Sequence, residues 1–186
     1  SKNVILIPNT IVGALAAPFA GVEKITVMHD GKHVCLKSGD ITFVIRDIEQ
    51  RYVNYDSVIP KECSYHAILP VSALAGAVRR VQIMATESSN MVKLSKEGMF
   101  LTLSAEDTDF SKKASENLVL ADVDNPLTLR DDFAIGFKAS SLAMLLGNIS
   151  TDNVRLELTE ASKPILVKED APNSVLTELL MPMQLN

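Results

Sequence analysis

The sequence predicts an α+β protein assembled from three copies of one unit, a helix followed by a small antiparallel sheet. Three observations carry this. Apolar residues recur at helical spacing in three separate segments, short alternating stretches follow each of them, and hairpin turns separate those stretches. Self-similarity of this kind is a property of the architecture, so it weighs more than any single element. With 186 residues, 47% hydrophobic and 22% charged, the chain has material for one generous domain or two small ones.

In the first unit Ile11, Val12, Leu15, Ala16 and Phe19 share one helical face, with Pro8 near the start and Pro18 near the end. Strands are expected over residues 22–29, 32–37 and 41–46, joined by turns at Asp30-Gly31 and Ser38-Gly39-Asp40. The second unit has Ser72 as the expected N-cap of a helix running to about Ala85, with Leu74, Val78, Val81 and Ala85 inward. Strands follow over residues 91–95, 99–104 and 110–120, with a turn at 96–98. In the third, a stretch at 133–137 leads into a helix over 140–148 with Leu142, Leu145 and Leu146 inward. Strands over 154–159, 164–168 and 174–181 complete it.

The polar stretch 52–63, with Pro60 and mixed charge, is the best linker, and the boundary is placed near residue 61. Residues 1–60 then form one part and 61–186 the other, with 122–126 a loop inside the second.

Composition excludes several classes of function. The 18 Lys and Arg against 23 Asp and Glu leave a net charge of -5, so bulk charge cannot hold nucleic acid. Cys35 and Cys63 are too few for a disulfide framework. No apolar run approaches the ~18 residues of a membrane helix and no signal architecture opens the sequence, so a soluble, cytoplasmic protein is expected. There is no glycine-rich phosphate loop and no nucleophile elbow. His29 and His33 flank a turn and read as solvated, as does the acidic run 106–109. No catalytic constellation, metal site or cofactor is expected.

At 100° per residue, Gly76, Arg79, Arg80 and Ile83 fall opposite Leu74, Val78 and Val81, so both arginines are expected to point away from the sheet. A solvated helix face carries such residues too. The outward faces of the other helices, with Asn9, Thr10, Gly13 and Ala17, and with Met144, Gly147 and Asn148, lack basic residues.

Four stretches resemble the bacterial sliding clamp family, the β subunit of DNA polymerase III. Residues 45–60, from Ile45-Arg46-Asp47-Ile48 through Tyr52-Val53-Asn54-Tyr55 to Val58-Ile59-Pro60, are similar to the family's S-R-L-I-D/E-G-x-F/Y-P-D-Y-x-x-V-I/L-P. Ile135-Gly136-Phe137-Lys138-Ala139 resembles I-G-F-N-A/V, and Asn153-Val154-Arg155-Leu156 resembles E-V-R-L/M. The ending Met181-Pro182-Met183-Gln184-Leu185 resembles M-P-M-R-L. Departures are Asp47 for Leu, Gln50 for Gly, Val53 for Pro and Gln184 for Arg.

The resemblance implies the DNA-clamp fold and a non-catalytic processivity factor. In such a ring of head-to-tail subunits, helices line the hole around duplex DNA, and an ATP-driven clamp loader loads it. The three units then correspond to the second half of a middle domain and a whole last domain, so the chain is expected to be a fragment. Arg79 and Arg80 would face the hole. A cleft for short peptides ending in large apolar residues, carried by the polymerase catalytic subunit and other clamp-binding proteins, would involve Val53, Ser57, Val58, Lys138, Ser141, Ser162, Pro164, Leu180, Met181, Pro182 and Met183. Ile83 and Met84 align with the subunit interface, and self-association is expected. The alternative is a stand-alone interaction module that uses the same cleft without a ring; an enzyme working on DNA ends is a third reading, which lacks a catalytic set.

Overall fold

A computed structural model describes residues 4–48, 50–97, 100–121, 129, 130 and 132–185. Glu49 of the first family-like stretch, the expected loop 122–126, and Gly98 and Met99 at the expected turn lie outside the described residues. The chain divides between Asn54 and Tyr55 into two compact units.

In the N-terminal unit Pro8 precedes α1 (Asn9–Ala16), and a three-stranded antiparallel sheet follows in the order β1 (Thr26–His29), β2 (His33–Ser38), β3 (Ile41–Arg46). β1 begins at Thr26, later than the alternation from Val22 suggests, because the chain turns through Gly21 at φ +78° and bends again at Glu23 before it pairs. The first hairpin turn is locked by Asp30, whose Oδ1 accepts the N–H groups of Lys32 at 2.8 Å and His33 at 2.6 Å. Those backbone bonds, from His33 and then Lys32, hold the Asp30 carboxyl down at about 2. Asp47 is a second tie: Oδ1 accepts the Leu6 N–H at 3.0 Å and Oδ2 meets His29 Nε2 at 2.9 Å. His29 is therefore paired, not merely solvated.

The apolar face of α1 has little to pack on. Ile11, Leu15 and Phe19 are half-buried, while Val12 and Ala16, expected inward, are exposed. Of this unit's described residues only Val34 and Ile45 are fully buried hydrophobics.

The C-terminal unit runs β4 (Tyr65–Pro70), α2 (Val71–Val81), a 3-10 turn (Gln82–Met84), β5 (Met91–Glu97), β6 (Phe100–Asp107) and β7 (Lys112–Leu118), then β8 (Ala134–Lys138), α3 (Ala139–Leu146), β9 (Asn153–Leu158), β10 (Ile165–Glu169) and β11 (Thr177–Leu180). Its two four-stranded sheets have the orders β7-β6-β5-β8 and β11-β10-β9-β4. The strand before each helix thus joins the sheet of the other repeat: β4 pairs with β9, Ala67 opposite Leu156, and β8 pairs with β5, Ile135 opposite Leu94.

The helix starts are exchanged in the same way. The Val71 N–H donates to the Asp152 carbonyl at 2.9 Å, from the loop after α3. The Ala139 N–H donates to the Asn90 carbonyl at 2.8 Å and the Ser140 N–H to Asn90 Oδ1 at 3.1 Å, from the loop after α2. Asn90 adopts φ +48° to do this, a conformation Asn tolerates better than most residues. Ser72 is accordingly not an N-cap: Pro70 stands at that position and no side chain caps the helix, since the other repeat has already taken the first donor. Leu74, Ala77, Val78 and Val81 of α2 and Leu142 and Leu146 of α3 close one core with the inner faces of both sheets.

Three further expectations shift. The helix expected to reach Ala85 tightens into a 3-10 turn after Val81. The third helix starts at Ala139, and Leu145 is only half-buried. Glu106 and Asp107 belong to β6; Asp107 is buried and its Oδ1 takes the N–H groups of Asp109 and Phe110 at 3.1 and 3.4 Å, closing the hairpin turn.

Candidate functional site

The C-terminal segment leaves β11 at Leu180 and crosses to the other sheet. Leu180 is a core residue, 4% exposed, which fixes the departure point. Pro182 has no N–H to offer a ladder, and the next residue makes the contact: the Met183 N–H donates to the Gly136 carbonyl at 2.7 Å, an antiparallel bridge on the free edge of β8. A strap thus connects the two sheets.

Beside it lies a cleft of about 450 Å³ lined by Ala134 at the start of β8, Ala161 and Ser162 in the β9–β10 turn, and Pro182, Met183, Gln184 and Leu185 of the strap. The side chains that line it are mostly hydrocarbon, with the Ser162 hydroxyl and the Gln184 amide among them. That surface suits large apolar side chains, and Met adapts its shape to varied ones.

Among the residues expected at a peptide cleft, Ser162, Pro182 and Met183 come together here. Met181 is exposed on the strap, Pro164 is buried just ahead of β10, and Leu180 supports from the core. Lys138 and Ser141 lie at the junction of β8 and α3, Lys138 exposed and Ser141 half-buried. Ser57 ends a 3-10 turn (Tyr55–Ser57), the exposed Val58 follows, and the Val58 N–H donates to the Tyr55 carbonyl at 2.9 Å. Val53 belongs to the N-terminal unit and is exposed. Ala134, Ala161, Gln184 and Leu185 were not expected. Gln184 and Leu185 were within reach, being part of the same ending as Met183; Ala134 and Ala161 carry no local signal.

The helix faces also differ from expectation. Arg79 lines a groove of about 710 Å³ between α2 and α3, walled by small residues such as Ala75, Gly76, Ala143 and Gly147. Arg80 does not turn away from the sheet. Its Nε and NH2 donate to the two carboxylate oxygens of Glu116 on β7 at 2.6 and 2.8 Å, because the long side chain reaches past the helix to the edge strand. That pairing raises the guanidinium and lowers the Glu116 carboxyl. Ile83 is 70% exposed in the middle of the 3-10 turn, and Met84, which ends it, is half-buried.

The sheet face around β9 and β10 carries ion pairs, Arg155 with Asp170 at 3.1 Å and Lys168 with Glu157 at 2.7 Å. Burial, reinforced by the nearby Glu157, pushes the Cys63 thiol up, away from a reactive thiolate. Among the described residues no group of three His, Cys, Asp or Glu could hold a metal, and no helix is long and apolar enough to cross a membrane.

A family model described as the DNA polymerase III beta subunit, C-terminal domain, matches residues 56–184. The chain belongs to this family. Among curated relatives of the beta subunit, the Beta sliding clamp of Synechococcus elongatus is 25% identical over 167 residues, covering 88% of this chain and 42% of the relative. The Beta sliding clamp of Escherichia coli K12 is 24% identical over 185 residues, covering 100% of this chain and 48% of the relative. The chain therefore spans about half the length of the curated relatives it matches. The beta-subunit fold is also that of a crystal structure of a sliding clamp from Bartonella birtlesii bound to griselimycin, with a TM-score of 0.77, 22% identity, 99% of this chain covered and 48% of that one. The α+β clamp fold and the DNA polymerase III β-type ancestry read from the sequence both stand.

Proposed function

We propose that this chain acts as the C-terminal half of a DNA polymerase processivity clamp, a non-catalytic cytoplasmic protein. Residues 1–60 would be the second half of the middle domain and 61–186 the last domain. The carrying observation is the cleft beside the strap, where Pro182, Met183 and Leu185 form an apolar surface that a short peptide with large apolar ends would fill. The polymerase catalytic subunit, the clamp loader and other proteins with such motifs are the partners that fit it, and Ser57, Val58, Lys138, Ser141 and Pro164 would complete the site.

Duplex DNA would be held by enclosure, which is compatible with a net charge of -5 because a closed ring needs no strong attraction. Arg79, in the groove between the helices, is the readier phosphate contact; Arg80 would first have to leave Glu116. Ile83 and Met84 would serve the subunit contact. The test is titration of a fluorescein-labelled hexapeptide ending in Leu-Phe into wild type and Met183→Ala. Loss of one anchor should raise Kd about tenfold, equivalent to about 1.4 kcal/mol. Clear binding with identical curves would place the site elsewhere.

A further inference from the structure

The geometry points to Gly136 and Leu185 as a lock that sets the position of the strap, and through it the shape of the peptide cleft; this rests on the proposed function above. Along β8, Ile135 and Phe137 face the core, so Gly136 faces the opposite side of the sheet. A Cβ there would lie 2.9 Å from Leu185 Cδ2, 3.0 Å from the Met183 carbonyl oxygen and 3.1 Å from Met91 Sδ. The space left by the missing side chain is thus occupied from three directions by the strap and β5. The same residue accepts the Met183 N–H at 2.7 Å. Gly136 therefore acts on the strap twice, by a hydrogen bond that fixes its height along β8 and by a vacancy that lets Leu185 fold over the sheet.

The three contacts differ in how readily they relax. Leu185 Cδ2 and Met91 Sδ are ends of flexible side chains and can rotate away. The Met183 carbonyl is backbone and moves only if the strap moves. Gly136→Ala should therefore shift the strap by a few tenths of an ångström, whereas Gly136→Val, with a side chain well suited to a strand, should lift it off β8. Gly136 is a positioning residue: it lies behind the cleft-lining side chains of Met183 and Leu185, which would be the ones to touch the peptide.

Two readouts on the full 186-residue chain test this. Amide hydrogen exchange at Met183 should accelerate at least tenfold in Gly136→Val and less in Gly136→Ala. Hexapeptide Kd should rise about threefold in Gly136→Ala and at least tenfold in Gly136→Val. In the Gly136→Ala background, Leu185→Ala removes only the side-chain contact and leaves the Met183 carbonyl, so Met183 exchange should stay faster than in Leu185→Ala alone while exchange in the core of β5 is unchanged, a local effect that general destabilisation would not produce. If Gly136→Val does not fold, Leu185→Gly frees the strap without touching β8 and should speed Met183 exchange to a similar degree; unchanged exchange there would overturn the inference. Unchanged exchange in a folded Gly136→Val overturns the lock whether or not peptide binds. Failure of wild type to bind the hexapeptide would instead overturn the proposed function, and Met183 exchange would still decide the lock.

Discussion

Glu169, at the end of β10, shows how a single half-buried residue can carry a pH dependence. Its carboxylate accepts from the Ser150 hydroxyl, from the Ser174 hydroxyl at 2.6 Å and from the Ser150 N–H at 2.9 Å, and these bonds hold it at about 2, well under its ordinary 4.5. Because the folded value is the depressed one, the stabilisation is complete above about 4.5 and is lost as the pH falls toward about 2. Calorimetry of wild type against Glu169→Gln should find the variant less stable at neutral pH and the gap closing through that acid window. A gap that stays constant with pH would mean the three donors do not act on the charge. None of this was legible from sequence, since Ser150 and Ser174 approach Glu169 from two different loops. The Asp30 turn, by contrast, was legible, because its donors are its immediate neighbours.

At the scale of elements, the second helix was readable because its information is local. Leu74, Val78 and Val81 recur at the helical period, and all three are buried. β4 was not: Tyr65–Pro70 is a short apolar run beside a linker, and its partner β9 lies far along the chain with α2 and a whole sheet between them. The exchange makes β4 structural for both repeats. Leu69, fully buried in it, tests this directly. Leu69→Ala should cost about 2–5 kcal/mol, measured by urea unfolding of the full chain, with the C-terminal unit still melting in one step. A loss well below that range, or a split transition, would make β4 peripheral. Among the residues of the cleft, the ending Met181 to Leu185 was visible as a motif, whereas Ala134 and Ala161 were not, because an alanine acquires a role only from what stands opposite it.

At the scale of the whole molecule, the two compact units differ in completeness. The C-terminal unit closes a core between two sheets and two helices, while the N-terminal unit has one helix, one sheet and two fully buried hydrophobics among its described residues. Val27 sits on the same side of its sheet as the buried Val34, yet it is exposed, so the inner face is open where a second repeat would stand. Within the C-terminal unit that second repeat supplies both a strand and a helix cap. The 186-residue chain is therefore expected to self-associate through this open face, most simply as a two-fold dimer. Sedimentation equilibrium should show a dimer that weakens in Val27→Lys; a second contact through the 3-10 turn would weaken in Ile83→Lys combined with Met84→Lys. A monomer with an intact N-terminal sheet would sink the expectation.

The sequence by itself determined the three-fold recurrence of helix and sheet, the inward face of the second helix, the hairpin at Asp30 and the family, because each depends on residues close together in the chain or on an unbroken motif. Only the tertiary structure decided the exchange of β4 and β8 between repeats, the helix starts capped by Asp152 and Asn90, the turn of Arg80 toward Glu116, and the seat of Leu185 over Gly136. Each of these is a meeting of groups distant in sequence. A hydrogen-bond donor or an empty Cβ position has no energy of its own until the fold brings its partner within reach.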